Sequence, residues 1–529
     1  MYKLFLCLRY LRKRRIAFFA VAAVCLCTAM VLIVVSVMGG FLQMVRDRSR
    51  GMLGDLIMEN ASLQGFPFYQ EFIDLIKAEM PDQIEEATPV IISYGVIRFP
   101  TDQITKPAQI VGIRLAETMR VNEFGKGLFY ETYYPGTSTL GPVRMPCVGF
   151  DEAGRPALPE DLEAAWQRWR ASAGPAQAAK APIEESLRYN RPGYYAPVPA
   201  EESGGPMAPG WYGRELPGAI IGTDLCARRE PDGTFTRYYW RGYPVTLTFV
   251  PFTDTGKPLE TGSGMPSKLF RYVDDCRTGV YDIDSMSVYV DFDLLQDVLE
   301  MDEQRLGEEA GGGTIPPRTT QVQIKLRPGA DPRRTRDLLV ERWREFYAGR
   351  IDGLRTPELI RRVMILTWEE KQAKFIGAVE KEKVLVTTLF GVVSVVAVFL
   401  VGVIFHMIVQ QKTRDIGIIR SVGATSLGVA QIFIAYGAAV GLIGGALGTM
   451  LGTAFVWRIN EFQDFLRRLD PRLEVWNAEV YAFDRIPNTV KAWDAGVIYL
   501  VAVLASIAGS LVAARRAARV WPVEALRYE

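Results

Sequence analysis

Apolar residues are gathered toward the two ends of the chain, in four runs separated by charged sequence. Ile16 to Leu42 carries no charge; Val384 to Val409 has His406 as its only strongly polar member. Leu427 to Trp457 and Ala495 to Val512 complete the set. Each reaches the roughly 17–25 residues that a helix needs to cross a bilayer. The pattern predicts transmembrane helices over 16–43, 384–409, 427–457 and 495–513. A signal peptide is the competing reading of the first run, but the run is too long for a signal h-region. The third run carries Gly437, Gly441 and Gly445, with Gly444, Gly448 and Gly452 in a second register. Small residues four apart let helix backbones approach closely in lipid, so these glycines predict a helix-packing face.

Residues 44–383 are different in kind. Val90, Ile92, Tyr94 and Val96 alternate with other residues up to Phe99-Pro100, and Gln321 to Leu326 alternates polar and apolar, which predicts strands. Helical spacing appears at Tyr69 to Met80, Leu294 to Met301 and Arg333 to Tyr347. The mixture reads as α+β, with a β-rich part over 217–300. Residues 151–216 are rich in Ala, Pro, Gly and charge with little periodicity, and are expected to be an exposed insertion. Glu300 to Arg318, with Gly311-Gly312-Gly313 and Pro316-Pro317, predicts a second flexible connection. A smaller loop spans 458–494.

Charge sets the orientation. The first 15 residues hold Lys3, Arg9, Arg12, Lys13, Arg14 and Arg15 and no acid, and Arg515, Arg516 and Arg519 follow the last run. Positive flanks face the cytoplasm, so both termini and the 410–426 segment are expected inside and residues 44–383 outside. The segment Lys412-Thr413-Arg414-Asp415-Ile416-Gly417-Ile418-Ile419-Arg420-Ser421-Val422-Gly423-Ala424 is net positive and carries an apolar stripe of Ile416, Ile418, Ile419 and Val422. Such a stripe at a membrane exit suggests docking to another protein; a juxtamembrane helix resting on lipid headgroups is the alternative.

Composition removes several functions. A formal charge of +1 over 529 residues leaves no basic excess for nucleic acid. No Walker A pattern is present, so the chain is not a P-loop ATPase. One histidine excludes most His-based catalysis, and no Cys/His cluster has zinc spacing. His406 is read as a helix-packing hydrogen bond. Asp282/Asp284 and Asp291/Asp293 lack the glycine and terminal glutamate of a calcium loop and read as solvated. Glu380-Lys381-Glu382-Lys383 reads as the cover of a stalk helix. The six cysteines do not make a disulfide framework, although one bridge among Cys147, Cys226 and Cys276 remains open. No catalytic or metal site is expected, and no cofactor.

The motifs together resemble LolC/LolE lipoprotein-releasing permeases of the MacB/FtsX-like superfamily. The resemblance runs from Leu4-Phe5-Leu6, Leu8-Arg9-Tyr10-Leu11 and Ser36-Val37-Met38-Gly39-Gly40-Phe41 through Gly218-Ala219-Ile220-Ile221-Gly222 and Arg277 to Asp284. It continues in Thr367-Trp368-Glu369, the 414–424 segment, Gln431-Ile432-Phe433 and the tail Pro522-Val523-Glu524-Ala525-Leu526-Arg527-Tyr528-Glu529. It covers nearly the whole chain apart from 151–216 and the Gly/Pro connection. The 414–424 segment and the tail are shared with the wider superfamily, whereas the first-span and soluble motifs favour the lipoprotein-releasing branch.

The resemblance implies an α-helical membrane protein with four transmembrane helices and a large extracytoplasmic α+β domain, a MacB-like periplasmic core with a β-rich subdomain, in a bacterial inner membrane. It implies two permease chains, homo- or heterodimeric, working with two copies of a cytoplasmic ABC ATPase that carries ATP and Mg. Arg414, Asp415, Ile416, Gly417, Ile418, Arg420, Gly423 and Ala424 match the segment on which that ATPase docks. ATP-driven closure then moves the outside domains by mechanotransmission. Lipoprotein cargo passes from the membrane lipid to a periplasmic lipoprotein carrier. Lifting a triacyl anchor exposes chains at roughly 0.8 kcal/mol per CH₂, so an apolar cavity between subunits would hold them, with Val35, Met38, Phe41, Leu42, Leu385 and Leu389 as its expected lining. An FtsX-like signalling scaffold acting on a cell-wall hydrolase, and a MacB-like efflux permease, are the alternatives.

Overall fold

The computed structural model describes residues 15–60, 62–99, 104–133, 135–136, 138–144, 171, 215–229, 235–237, 239, 244–252, 265–305, 314–351, 356–411, 413–470 and 485–519. The basic N-terminal segment, Cys7, Cys147, nearly all of the 151–216 stretch, Gly311 to Gly313, Lys412 and the tail from Val520 lie outside the described residues. The chain divides into two compact units. Residues up to Arg46 and from Lys374 onward form one, and Asp47–Ala373 the other.

Among the described residues, four helices are long and apolar enough to cross a membrane, each lying mainly in the first unit. They are Arg15–Leu53, Ala373–Gln411, Ser426–Trp457 and Ala492–Ala518. The first two outrun their apolar stretches, because hydrogen bonding along the axis does not require apolar side chains. Arg46 and Glu380 join these extensions at 3.0 Å; both are exposed, so the pair contributes at most about 1 kcal/mol.

The third helix lies between two others. A Cβ at Gly437 would clash with Ser510, one at Gly441 would stand 2.9 Å from the Val503 Cα, and one at Gly445 would press on the Tyr499 ring. The second register faces the first helix: a Cβ at Gly444, Gly448 or Gly452 would lie 3.0, 2.5 or 3.1 Å from the carbonyl oxygens of Val21, Cys25 and Ala29. The two rows of glycines thus seat two different helices. Ser506 adds a hydrogen bond from its hydroxyl to the Gly437 carbonyl at 2.8 Å.

Among the described residues, the second unit is built on one nine-stranded sheet: β1 (Leu56–Asn60), β2 (Ile84–Phe99), β3 (Ile104–Ile113), β4 (Gly218–Gly222), β5 (Pro244–Phe249), β6 (Ser267–Cys276), β7 (Ser287–Asp291), β8 (Gln321–Leu326) and β9 (Val363–Thr367). Their order is β5-β6-β4-β7-β3-β2-β8-β1-β9, and β5 pairs again with β2. Six strands therefore close on themselves while three extend from the first half of β2. The 217–300 strands are not a separate layer: they share β2 and β3 with the rest. The length of β2 makes this possible, since Ile84 to Val90 pairs with β8 and Gly95 to Arg98 with β5. At the closure, any side chain on Gly95 would clash with the Thr248 carbonyl oxygen.

Two helices, Tyr69–Glu79 and Pro332–Ala348, bury Phe72, Ile76, Leu339 and Trp343 in the main core. The second begins as its sequence dictates: Asp331 accepts from the Arg333 and Arg334 amides, and Pro332 opens the first turn.

Buried polar groups fix the six-stranded part. Arg237 donates to both Asp275 oxygens at 2.9 and 2.7 Å and lies 3.4 Å above the Phe129 ring. Tyr272 donates to the same carboxylate at 2.8 Å. Arg271 donates to the Thr139, Gly141 and Leu216 carbonyls, so it clasps the two chain ends flanking the 151–216 stretch. The expectation of solvated acids fails at Asp284. It is buried, takes hydrogen bonds from the Thr278 amide and hydroxyl and the Gly279 amide, and is pushed up by desolvation. Asp291 caps the Phe292–Val298 helix through the Leu294 amide, while Asp282 and Asp293 are exposed. Cys226 and Cys276 are buried free thiols raised by burial.

Two outcomes follow from this packing. Gly448→Leu lowers the thermal unfolding temperature of the purified chain, at a cost of about 1–3 kcal/mol from overpacking. Gly391→Leu, where a Cβ meets nothing within 4 Å, leaves it unchanged or higher. Asp275→Ala strands a buried guanidinium and loses about 3–5 kcal/mol in denaturant unfolding, most of it recovered when Arg237→Met is added.

Candidate functional site

The 410–426 segment forms a helix, Thr413–Ser421, closed by Gly423 at φ 103°. A left-handed residue here lets the Gly423 and Ala424 amides reach back to the Arg420 and Ile419 carbonyls. The chain then turns at once into the third membrane helix, whose first turn is capped by Thr425 accepting from the Gly428 amide at 3.1 Å.

The stripe expected on this helix does not all face one way. Ile416 is 3% exposed and belongs to the apolar cluster that also holds Val409, Phe433, Ala513 and Ala517, and Gly417 is buried beside it. Ile418 and Val422, at 47% and 83% exposure, point away from the bundle, and Leu427 is exposed as well. One apolar side thus anchors the short helix, and the other is left displayed. Arg420 donates to the Ala518 carbonyl at 3.3 Å and to the Ser426 hydroxyl at 3.1 Å, tying the displayed helix to the end of the fourth span and the start of the third. Arg414 is exposed, and Asp415 and Ala424 are half-buried. His406 is held as expected of a packing residue, with Arg516 Nη1 at 2.8 Å from Nε2 and 3.1 Å from Nδ1.

The six residues expected to meet acyl chains are split. Leu385 and Leu389 are exposed along the second helix, Val35, Met38 and Phe41 are half-buried, and Leu42 is buried. An apolar cavity of about 140 Å³ lies deeper, between the first, second and fourth helices, and is lined by Val24, Val31, Ser394, Val398, Val497 and Val501 among others, with none of the six. Cys27 donates to Ser394 beside it at 3.5 Å.

Sequence reasoning passed over Thr425, Ser426 and Ser506, and read Arg516 only as a charged flank of the fourth span. Thr425-Ser426 before an apolar run is a readable cap signal. The serine and arginine contacts join residues far apart in sequence and leave no local signal. Among the described residues, no group of three or more His, Cys, Asp or Glu side chains is placed to hold a metal.

Comparison with known proteins follows the same lines. Residues 387–522 match the FtsX-like permease C-terminal family. The lipoprotein-releasing system transmembrane protein LolC of Neisseria meningitidis serogroup B is 28% identical over 289 residues, 54% of this chain and 62% of the relative. LolC of Xylella fastidiosa is 28% identical over 166 residues, 31% of this chain and 40% of the relative. LolE of Haemophilus influenzae is 29% identical over 120 residues, 23% of this chain and 29% of the relative. The alignments thus span less than two thirds of these relatives. The chain is similar to LolC/LolE-type permeases, with an FtsX-like permease domain across its second to fourth membrane helices.

Arg420→Ala is expected to loosen the short helix without melting the bundle. Amide exchange over 413–424 rises about tenfold, as loss of a charge-assisted hydrogen bond of about 1.5 kcal/mol predicts, while the thermal midpoint of the purified chain stays put.

Proposed function

We propose that this chain is the non-catalytic membrane subunit of an ABC transporter of the mechanotransmission type, and that it extracts lipoproteins from the outer leaflet of a bacterial inner membrane. A separate cytoplasmic ATPase docks on the 413–424 segment, and a second permease chain completes the membrane part. The Asp47–Ala373 unit lies in the periplasm, moves with ATP-driven closure and hands cargo to a carrier. The observation that carries this reading is the short helix whose inner side is anchored through Ile416 while Ile418 and Val422 remain displayed. A rigidly held apolar surface is what a partner needs in order to transmit force rather than merely bind. The similarity to lipoprotein-releasing proteins over half the chain supports the cargo.

Each step has a physical role for residues of this chain. Arg420 ties the short helix to the fourth span and, through Ser426, to the capped start of the third. Displacement at the docking surface then moves a helix that is locked by close glycine contacts to the first and fourth. Met38, Leu385 and Leu389 offer apolar surface to acyl chains leaving the leaflet, which lowers the roughly 0.8 kcal/mol per CH₂ cost of exposing them. Leu42, being buried, serves packing instead. The match to an FtsX-like domain covers residues 387–522 alone and suits a signalling scaffold equally well. That scaffold, or an efflux permease, is the alternative.

The test is purification in nanodiscs with the cognate ABC ATPase, followed by mass spectrometry. The chain retains the ATPase, and Ile418→Glu with Val422→Glu loses it while thermal stability is unchanged. Acylated lipoproteins co-purify and fall at least tenfold in Met38→Asp with Leu389→Asp. Recovery of a soluble hydrolase with no lipoprotein would move the assignment to signalling, and failure to retain any ATPase would remove the transporter reading.

A further inference from the structure

The third membrane helix ends at Trp457, and after Arg458 the chain continues as an eleven-residue helix, Ile459–Leu469. Its residues separate cleanly. Ile459, Phe462, Phe465, Leu466 and Leu469 fall on one side at helical spacing, while Asn460, Glu461, Gln463, Asp464, Arg467 and Arg468 fall on the other. None of the eleven is buried, and Phe462, Phe465 and Leu469 stand 47%, 57% and 64% exposed. Three large apolar groups on so short a helix need an apolar medium.

We propose that this helix lies in the plane of the membrane surface, with Phe462, Phe465 and Leu469 in the acyl region and the polar side toward phospholipid headgroups. Three features of the geometry favour lipid over a protein partner. The apolar side continues that of the spanning helix: Phe455, in its last turn, meets Phe462 at 5.5 Å between ring centroids. Exposed Met450 and Leu451 precede it on the same helix. The hydrocarbon boundary falls at this level, since Trp457 ends the third helix and Trp493 lies in the first turn of the fourth, and both are exposed. Exposed tryptophans at helix ends are the usual membrane-interface anchors.

The helix is also prevented from lifting away. The Asn460 side chain donates to the Ile486 carbonyl at 2.9 Å and accepts from the Ile486 amide at 3.0 Å. This two-bond clasp holds the polar side of its first turn to the chain that leads into the fourth helix. A Cβ on Gly40 would lie 2.6 Å from the Pro487 Cβ, so the same chain is pressed against the first helix. At the other end, exposed Arg468 and the half-buried Arg467, paired with Asp464 at 3.4 Å, place positive charge beside the headgroups. Basic residues on the polar side of an interfacial helix attract anionic lipid. Lipid contact follows from the helix itself. Its assignment to the outer leaflet rests on the orientation in the proposed function.

The test places p-benzoylphenylalanine at the position of Phe465, with the position of Glu461 as polar-side control, in the full chain in nanodiscs of phosphatidylethanolamine and phosphatidylglycerol. Irradiation and mass spectrometry give phospholipid adducts at 465 and not at 461. Adducts to protein at 465, whether a second copy or another chain, or no lipid adduct there, overturn the proposal. In the Arg468→Gln background the phosphatidylglycerol share of the adducts falls, by up to about fivefold for one interfacial charge; an unchanged share overturns the headgroup contact. For the leaflet, Arg468→Cys in intact spheroplasts reacts with a membrane-impermeant maleimide above the wild-type background. Reaction only after permeabilisation overturns the leaflet and the proposed orientation with it, whatever the lipid adducts show.

Discussion

Helices in lipid gain no hydrophobic free energy by meeting one another, because the acyl chains they displace are as apolar as leucine. Close backbone contact is what remains, and the third membrane helix supplies it on two sides. Gly437, Gly441 and Gly445 admit the fourth helix, and Gly444, Gly448 and Gly452 admit the first, with carbonyl oxygens of the first helix at the distance where a side chain would stand. The other features of the membrane unit are referred to this helix. The 413–421 helix joins its capped start through the turn at 422–425, and the 459–469 helix follows its end after Arg458. Each of these short helices is therefore attached to a backbone that is closely packed on two sides.

The Asp47–Ala373 unit solves a different problem by ordinary means. A domain of this size has hydrophobic burial available, and its core is a ring of six strands with three more running off a shared long strand. Specific closure comes from polar groups placed inside. The Arg237–Asp275 pair, with Tyr272 on the same carboxylate, is a costly arrangement in a core unless every partner is met. Here they are met, and the Phe129 ring covers the guanidinium. Arg271 performs the corresponding task at the neck of the 151–216 stretch by gathering carbonyls from both flanking chain ends.

By itself the sequence determined the four membrane helices, because a run of twenty apolar residues has few other stable forms. It determined the helix-packing face of the third span, the strand run from Val90 to Phe99 (though not its first half from Ile84), the strand at Gln321–Leu326, and the position of the short helix between two spans, since period and turn signals are local. The tertiary structure alone decided which side of each element is covered. Ile416 and Ile418 are two residues apart and equally apolar, yet one is buried in the apolar cluster of the bundle and the other displayed. Asp282 and Asp284 are likewise alike in sequence, but only Asp284 meets the Thr278 and Gly279 amides. The two glycine registers were legible, but not that they seat different helices. The closure of β5 onto β2 and the clasp of Arg237 on Asp275 join residues tens to more than a hundred positions apart. Periodicity reports an element's own faces; what each face meets depends on distant segments, and that is settled only when the chain is packed.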